Sequence, residues 1–187
     1  MRETFWLILF AVTLAFDAYL ERQYILIYYT IWTFILETAY FAAKVLRKPR
    51  WYNAIFPFVF APSLVVCIGF WIVIAPTWSG PKPRNAFFIV VTHGFNAVAL
   101  VRQVRKVSMS DIWKPCVYTL VYNMFLVLYV GAGGRSISGK LPYWYAQYDN
   151  PIGWVFFIIS ILAVAVTHTI AAAYIWPPPP RPIQYIV

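Results

Sequence analysis

Long apolar runs, each ended by a short polar or proline-rich break, set the plan of this chain. A helix needs about 20 mostly apolar residues to cross a bilayer, and several segments approach that. The pattern predicts helices over roughly Phe5–Leu20, Ile25–Val45, Asn53–Ala75, Asn85–Val101, Pro115–Val130 and Ile152–Trp176. Pro57 and Pro62 fall inside the third and predict bends, since each removes a backbone donor. The longest connector is Gly131–Asn150, with the glycine-rich GAGGRSISG and then an aromatic run, Tyr143, Trp144, Tyr145 and Tyr148, that reads as an interfacial belt. Pro177–Pro180 cannot continue a helix. The expected organisation is a helical domain over 1–176 and an extended, polyproline-like tail over 177–187.

The polar positions inside these runs are few. Thr30, Thr33 and Glu37 in the second segment are spaced i, i+3 and i+7, which stacks them on one helix face. A carboxylate in a membrane segment turns toward a bundle interior or a wet cavity, so this face is expected to point inward. His93, Gly94 and Asn96 lie in the fourth segment, Tyr118, Tyr122 and Asn123 in the fifth, and His168 in the sixth. His168, between two threonines, reads as an interhelical hydrogen-bond donor, and Asp17 as a snorkelling charge.

Composition moves the class from helical to membrane-embedded. The chain is 62% hydrophobic and 11% charged, against about a quarter charged in soluble domains. The fold class is therefore an all-α polytopic membrane bundle of about six transmembrane helices. Its net charge of +9 would suggest nucleic acid in a soluble protein. Here the basic residues sit at helix ends, so lipid headgroups and orientation account for them, and no nucleic-acid partner is expected. Lys44, Arg47, Lys48, Arg50, Arg102, Arg105 and Lys106 are the candidate contacts to anionic headgroups. With six spans, ten of the 15 lysines and arginines fall on the side of the two termini. Both termini are then on the more basic side, in the cytoplasm or a mitochondrial matrix. Cys67 and Cys116 have no metal-site or disulfide spacing, and neither a metal nor a cofactor is expected. The first segment lacks a strong basic leader and a small-residue cleavage site, and reads as a retained helix.

Depth decides which polar residues can meet. At about 1.5 Å per residue, Thr30 lies about 8 Å and His93 about 12 Å from the less basic side, while Glu37 is about 18 Å and His168 about 24 Å in. Thr30 and His93 can therefore share a pocket that His168 cannot join. A hydroxyl beside an imidazole is the minimal activated nucleophile: the ring takes the hydroxyl proton as the oxygen attacks an acyl carbon, then passes it to the leaving group. The structural alternatives are a threonine bonded to its own helix and a histidine bridging two helices. Glu37 can orient His93, hold a cation, or bond a neighbour as a buried carboxyl.

Several motifs resemble a known family. They are Thr30-x6-Glu37-x3-Phe41, then Trp51, Pro57 and Phe70-Trp71, then His93-Gly94, and finally Gly139 with Pro142-Tyr143-Trp144. From about Tyr28 to Tyr174 the chain resembles the androgen-induced, FAR-17a-like family of small multi-spanning membrane proteins. The resemblance implies a membrane-embedded threonine hydrolase of fatty acid esters of hydroxy fatty acids, with Thr30 as nucleophile and His93 as its base. The chain departs from the family pattern at Glu37, where an amide is commoner, in its shorter connectors and in its tail.

Two functional readings stay open, and the sequence favours the first over the second. In one, the chain is an accessory subunit of a larger membrane complex, such as a respiratory or ATP-synthase-type assembly of the mitochondrial inner membrane. Short connectors and a proline-rich tail suited to docking favour it, and its partners are other membrane subunits. In the other, the chain is an active esterase. A proton-relaying transporter using Glu37, His93 and His168 is weaker, since no broken-helix repeat is present.

Overall fold

The computed structural model describes residues 2–77, 86–103 and 107–175. The tail over 177–187, Arg105, Lys106 and the turn from Trp78 to Pro83 lie outside the described residues. Within them the chain is all-α: six helical rods and no strand. They are α1 (Arg2–Glu21), α2 (Tyr29–Val45), α3 (Pro49–Gly69), α4 (Ala86–Val101), α5 (Trp113–Gly131) and α6 (Pro151–Ile170). Three stretches are long and apolar enough to cross a bilayer: Arg2–Ile27, Pro49–Ile74 and Pro151–Ala173. The other three expected spans do not reach that standard. α2 has only 17 residues, α4 is shorter still, and α5 interrupts its apolar run with Lys114, Pro115, Asn123 and three tyrosines.

Helix ends differ from the expected ones for local reasons. The second helix starts at Tyr29, not Ile25, because two carbonyls it would use are already taken. The Trp32 indole donates to Leu26 O at 2.7 Å and the Tyr122 phenol to Ile27 O at 2.7 Å. Arg22–Ile27 forms a tighter 3₁₀ turn instead, and Tyr28 is extended (φ −103°, ψ 128°). α3 starts four residues early because Pro49 occupies its first turn, where a missing N–H costs nothing. Trp51 and Tyr52 are therefore helical. Asn150 caps α6 through Ile152 N–H at 2.9 Å, again with proline next.

α2 and α5 end in the same way with different residues. After α5, Gly133 N–H bonds Val130 O and Gly134 N–H bonds Tyr129 O, with Gly133 at φ 84°. After α2, Arg47 N–H bonds Lys44 O and Lys48 N–H bonds Ala43 O, with Arg47 at φ 54°. Both are Schellman caps, whose left-handed residue is usually glycine. The glycine-rich connector thus begins as a helix cap.

α2 lies at the centre. Phe34, Tyr40 and Phe41 are buried against Trp6 and Phe10 of α1, Val59 and Phe60 of α3, Leu100 of α4 and Ala171 beyond α6. Phe10 sits 4.7 Å from Phe34 and 5.5 Å from Phe41, ring to ring, contacts that add about 0.5–1.5 kcal/mol per pair. The outer faces of α1 (Phe5, Ile8, Val12) and α6 (Val155, Ile158, Leu162, Ile170) remain exposed and apolar, more than a water-facing surface carries.

Arg47→Gly is expected to stabilise the fold by about 1 kcal/mol, since a β-carbon in the left-handed region costs about that much. Thermal unfolding in detergent reads it; a lower melting temperature would rule out the cap as described.

Candidate functional site

Thr30 and His93 meet. Thr30 Oγ1 lies 3.2 Å from His93 Nε2. The other ring nitrogen sets the roles. His93 Nδ1 is 3.0 Å from Ile89 O, which can only accept, so Nδ1 carries a hydrogen. Thr92 Oγ1, 2.8 Å away, gives its own hydrogen to Phe88 O or Ile89 O and shares that Nδ1–H. In the neutral ring Nε2 is then the bare acceptor and the Thr30 hydroxyl its donor. This is a nucleophile, a base and a carbonyl that orients the base.

The ring and its own carbonyl are held by two adjacent residues at the end of α3. Phe70 stacks on it with centroids 3.9 Å apart, and the Trp71 indole donates to His93 O at 2.8 Å. Both helices are locally widened into π-turns here, Phe70–Ile74 after α3 and Val91–Phe95 within α4. Such turns shift the side-chain register by a residue and recur at functional sites. They aim Phe70 and His93 at each other.

Thr30 stands second in α2, in the first turn, where backbone N–H groups have no intrahelical acceptor. Its i−4 carbonyl, Leu26 O, already serves the Trp32 indole. The preceding N–H, of Tyr29, donates to the Tyr143 phenol at 3.0 Å. The nucleophile candidate therefore sits beside its own amide at the positive end of a helix dipole.

Both residues face a cavity of about 420 Å³. Its walls are mostly apolar: Val65, Val66 and Phe70 from α3 and its π-turn, Leu126 from α5, and Phe156, Phe157 and Ala163 from α6. Tyr143, Tyr145 and Tyr148 of the aromatic run also line it, while Trp144 between them is exposed. Tyr143 and Tyr145 stack at 5.0 Å, and Tyr145 stacks on Phe156 at 4.4 Å. Burial pushes both phenols above their ordinary pKa, so they remain protonated.

Glu37 does not reach His93. It is fully buried and accepts from Ser63 Oγ of α3 and, at 3.4 Å, from Asn96 Nδ2 of α4. Asn96 is one turn beyond His93 and Glu37 two turns beyond Thr30, so this contact fixes the height of α2 against α4. Thr33 bonds Tyr29 O and lies 3.5 Å from the Tyr118 hydroxyl. His168 is apart from the site, 2.8 Å from Ser108 O. Lys44 reaches Gln103 Oε1 at 2.8 Å, which brings the ends of α2 and α4 together, with Arg47, Lys48, Arg50 and Arg102 nearby in the chain. Arg105 and Lys106 lie outside the described residues. Cys67 and Cys116 are free thiols.

Ser63, Phe70, Trp71 and Tyr143 carry the site's support, and sequence reasoning gave them no such role. Asn96 had a readable signal, since i+3 from His93 is the same helix face. Ser63 had none.

Glu37→Leu is expected to lower stability by about 1–3 kcal/mol by stranding the Asn96 amide, and Glu37→Gln by less than about 1 kcal/mol because its carbonyl accepts the same bonds. Thermal unfolding of the two in detergent distinguishes them; equal losses would remove the tie. Tyr143→Phe, which strands the Tyr29 N–H, is expected to cost about 1 kcal/mol in the same assay.

No protein-family model, curated protein or solved structure matches this chain, so the chemistry open to it follows from Thr30, His93 and the cavity they face.

Proposed function

We propose that this protein is a membrane-embedded threonine esterase acting on long-chain fatty acid esters. The observation that carries the reading is the 3.2 Å Thr30–His93 contact on the wall of an apolar cavity. In the first half-reaction Thr30 Oγ1 attacks the acyl carbon and its proton passes to His93 Nε2. The carbon–oxygen bond to the alcohol breaks, and His93 protonates the departing alkoxide. In the second, water attacks the Thr30 acyl ester, His93 takes a proton from that water and returns it to Thr30 Oγ1, and the fatty acid leaves. The Thr30 N–H, at the start of α2, is the donor best placed for the charge that develops on the carbonyl oxygen. Ile89 O steadies the imidazolium through Nδ1–H, in the role a carboxylate has in many triads.

Thr30 lies near the end of its helix, so a bundle of six spans would put the reacting carbonyl below one headgroup layer and the acyl chain in the apolar part of the cavity. The basic residues at the ends of α2 and α4 would meet anionic headgroups on the other side. The family resemblance points to fatty acid esters of hydroxy fatty acids, and the apolar walls of the cavity favour those whose remaining carboxyl is protonated or itself esterified. The accessory-subunit reading rests on the short connectors and on the tail over 177–187, which lies outside the described residues.

Thr30→Ala and His93→Ala are each expected to lower kcat for a long-chain fluorogenic ester by at least about 100-fold in purified protein, while Thr30→Ser keeps measurable turnover. A fluorophosphonate probe should label Thr30 in the wild type only. Unchanged turnover in both alanine variants would sink the esterase. A fixed-stoichiometry complex on a native gel, with no turnover by wild type, would move the weight to the subunit reading.

A further inference from the structure

We propose that the cavity takes its ester sideways from the bilayer, through a portal between α3 and α6, and so selects neutral esters dissolved in the membrane. The chemistry at Thr30 rests on the esterase reading; the portal rests on the shape of the cavity.

A residue that both lines a cavity and stands on the outer surface marks the cavity's mouth. Four residues do both. Ile68 and the π-turn residue Val73 are 53% and 37% exposed, and Ile159 and Val166 of α6 are 50% and 56% exposed. All four line the cavity that holds Thr30 and His93. All four are aliphatic, so none of these four described residues offers a group to pair with a charge.

The mouth opens at the depth of acyl chains. The helices on its two sides belong to the stretches Pro49–Ile74 and Pro151–Ala173, two of the three long and apolar enough to cross a bilayer. Ile159 is about 12 Å and Val166 about 22 Å along α6 from Pro151. Measured the opposite way on α3, Ile68 is about 9 Å from Ile74. The four positions thus run from near one end of the span to about two thirds of its length.

Two other ways in are covered by described residues. Toward the water-facing end stands the tyrosine layer, with Tyr143 bound to Tyr29 N–H and Tyr145 stacked between Tyr143 and Phe156. At the opposite end Ala171 beyond α6 is buried in one cluster with Phe60 of α3, so the two helices close there. An acyl chain sliding in between Ile68 and Ile159, which lie at nearly the same depth, meets Leu126, buried among the lining residues. A phosphate or choline headgroup would have to leave water and pass four aliphatic side chains, which is costly. The substrate class is therefore an ester whose ends are both apolar or uncharged at the mouth.

The test narrows the mouth from outside with Val166→Trp and, separately, Ile159→Trp; both positions are exposed and apolar, so the fold tolerates them. In nanodiscs, kcat/KM for an oleoyl ester is expected to fall at least about tenfold, while that for a short acetate ester changes less than about twofold. Equal losses for the two esters, or no loss for either, would overturn the portal. A second readout needs no turnover. In the Thr30→Ala background, a neutral ester with a terminal diazirine on its acyl chain should label the α5 segment around Leu126 on illumination. Adding Val166→Trp should abolish that label; labelling that persists would also overturn the portal. Loss of the portal leaves the Thr30 chemistry standing, and unchanged turnover in Thr30→Ala removes the chemistry while the labelling still reads the portal.

Discussion

The contact on which the arrangement depends is the one Glu37 makes with Ser63 and Asn96. Between helices whose outer faces are apolar, aliphatic contacts say little about register, because one leucine packs in hydrocarbon much like another. Polar groups in such surroundings are different: they bond each other or pay for it, so a single polar tie selects one height and rotation. Glu37 brings α2, α3 and α4 to one level. Thr30 and His93 sit on the same faces, two turns back along α2 and one turn back along α4, so the same pair of helices carries both the tie and the 3.2 Å contact.

Around that tie the site is built from departures from regular helix. α2 starts late because Leu26 O and Ile27 O are bonded by side chains, and this leaves Thr30 in a first turn with its amide unspent. α3 and α4 each widen by a π-turn, and the two widened segments face each other through Phe70 and His93. Irregular backbone inside an apolar bundle persists only where neighbours satisfy the freed groups. The Trp71 indole on His93 O and the Tyr143 phenol on Tyr29 N–H do this here.

The same residues give the cavity its character. Tyrosines from the connector between α5 and α6 cover one end, aromatic packing around Phe34 and Phe41 fills the other, and aliphatic side chains form the remaining walls. A hydroxyl activated by an imidazole in such a place is shielded from bulk water and faces apolar volume. That suits acyl transfer to and from a fatty chain better than proton relay, since Glu37 and His168 are both turned away from His93.

Much of this was legible in the sequence. The apolar runs, their proline and basic breaks, and the i, i+3, i+7 face of α2 determine an all-α chain with an inward polar stripe, because helical periodicity acts over a few residues. The rise per residue alone set Thr30 and His93 at one depth and His168 at another. Tertiary structure decided the rest. That Glu37 serves Ser63 and Asn96 instead of His93, that Tyr143, Tyr145 and Tyr148 line a cavity, and that Ile68 and Val166 flank a mouth are all relations between separate helices. They are settled by rotation about each helix axis, which an apolar run leaves free until a polar contact elsewhere in the fold locks it.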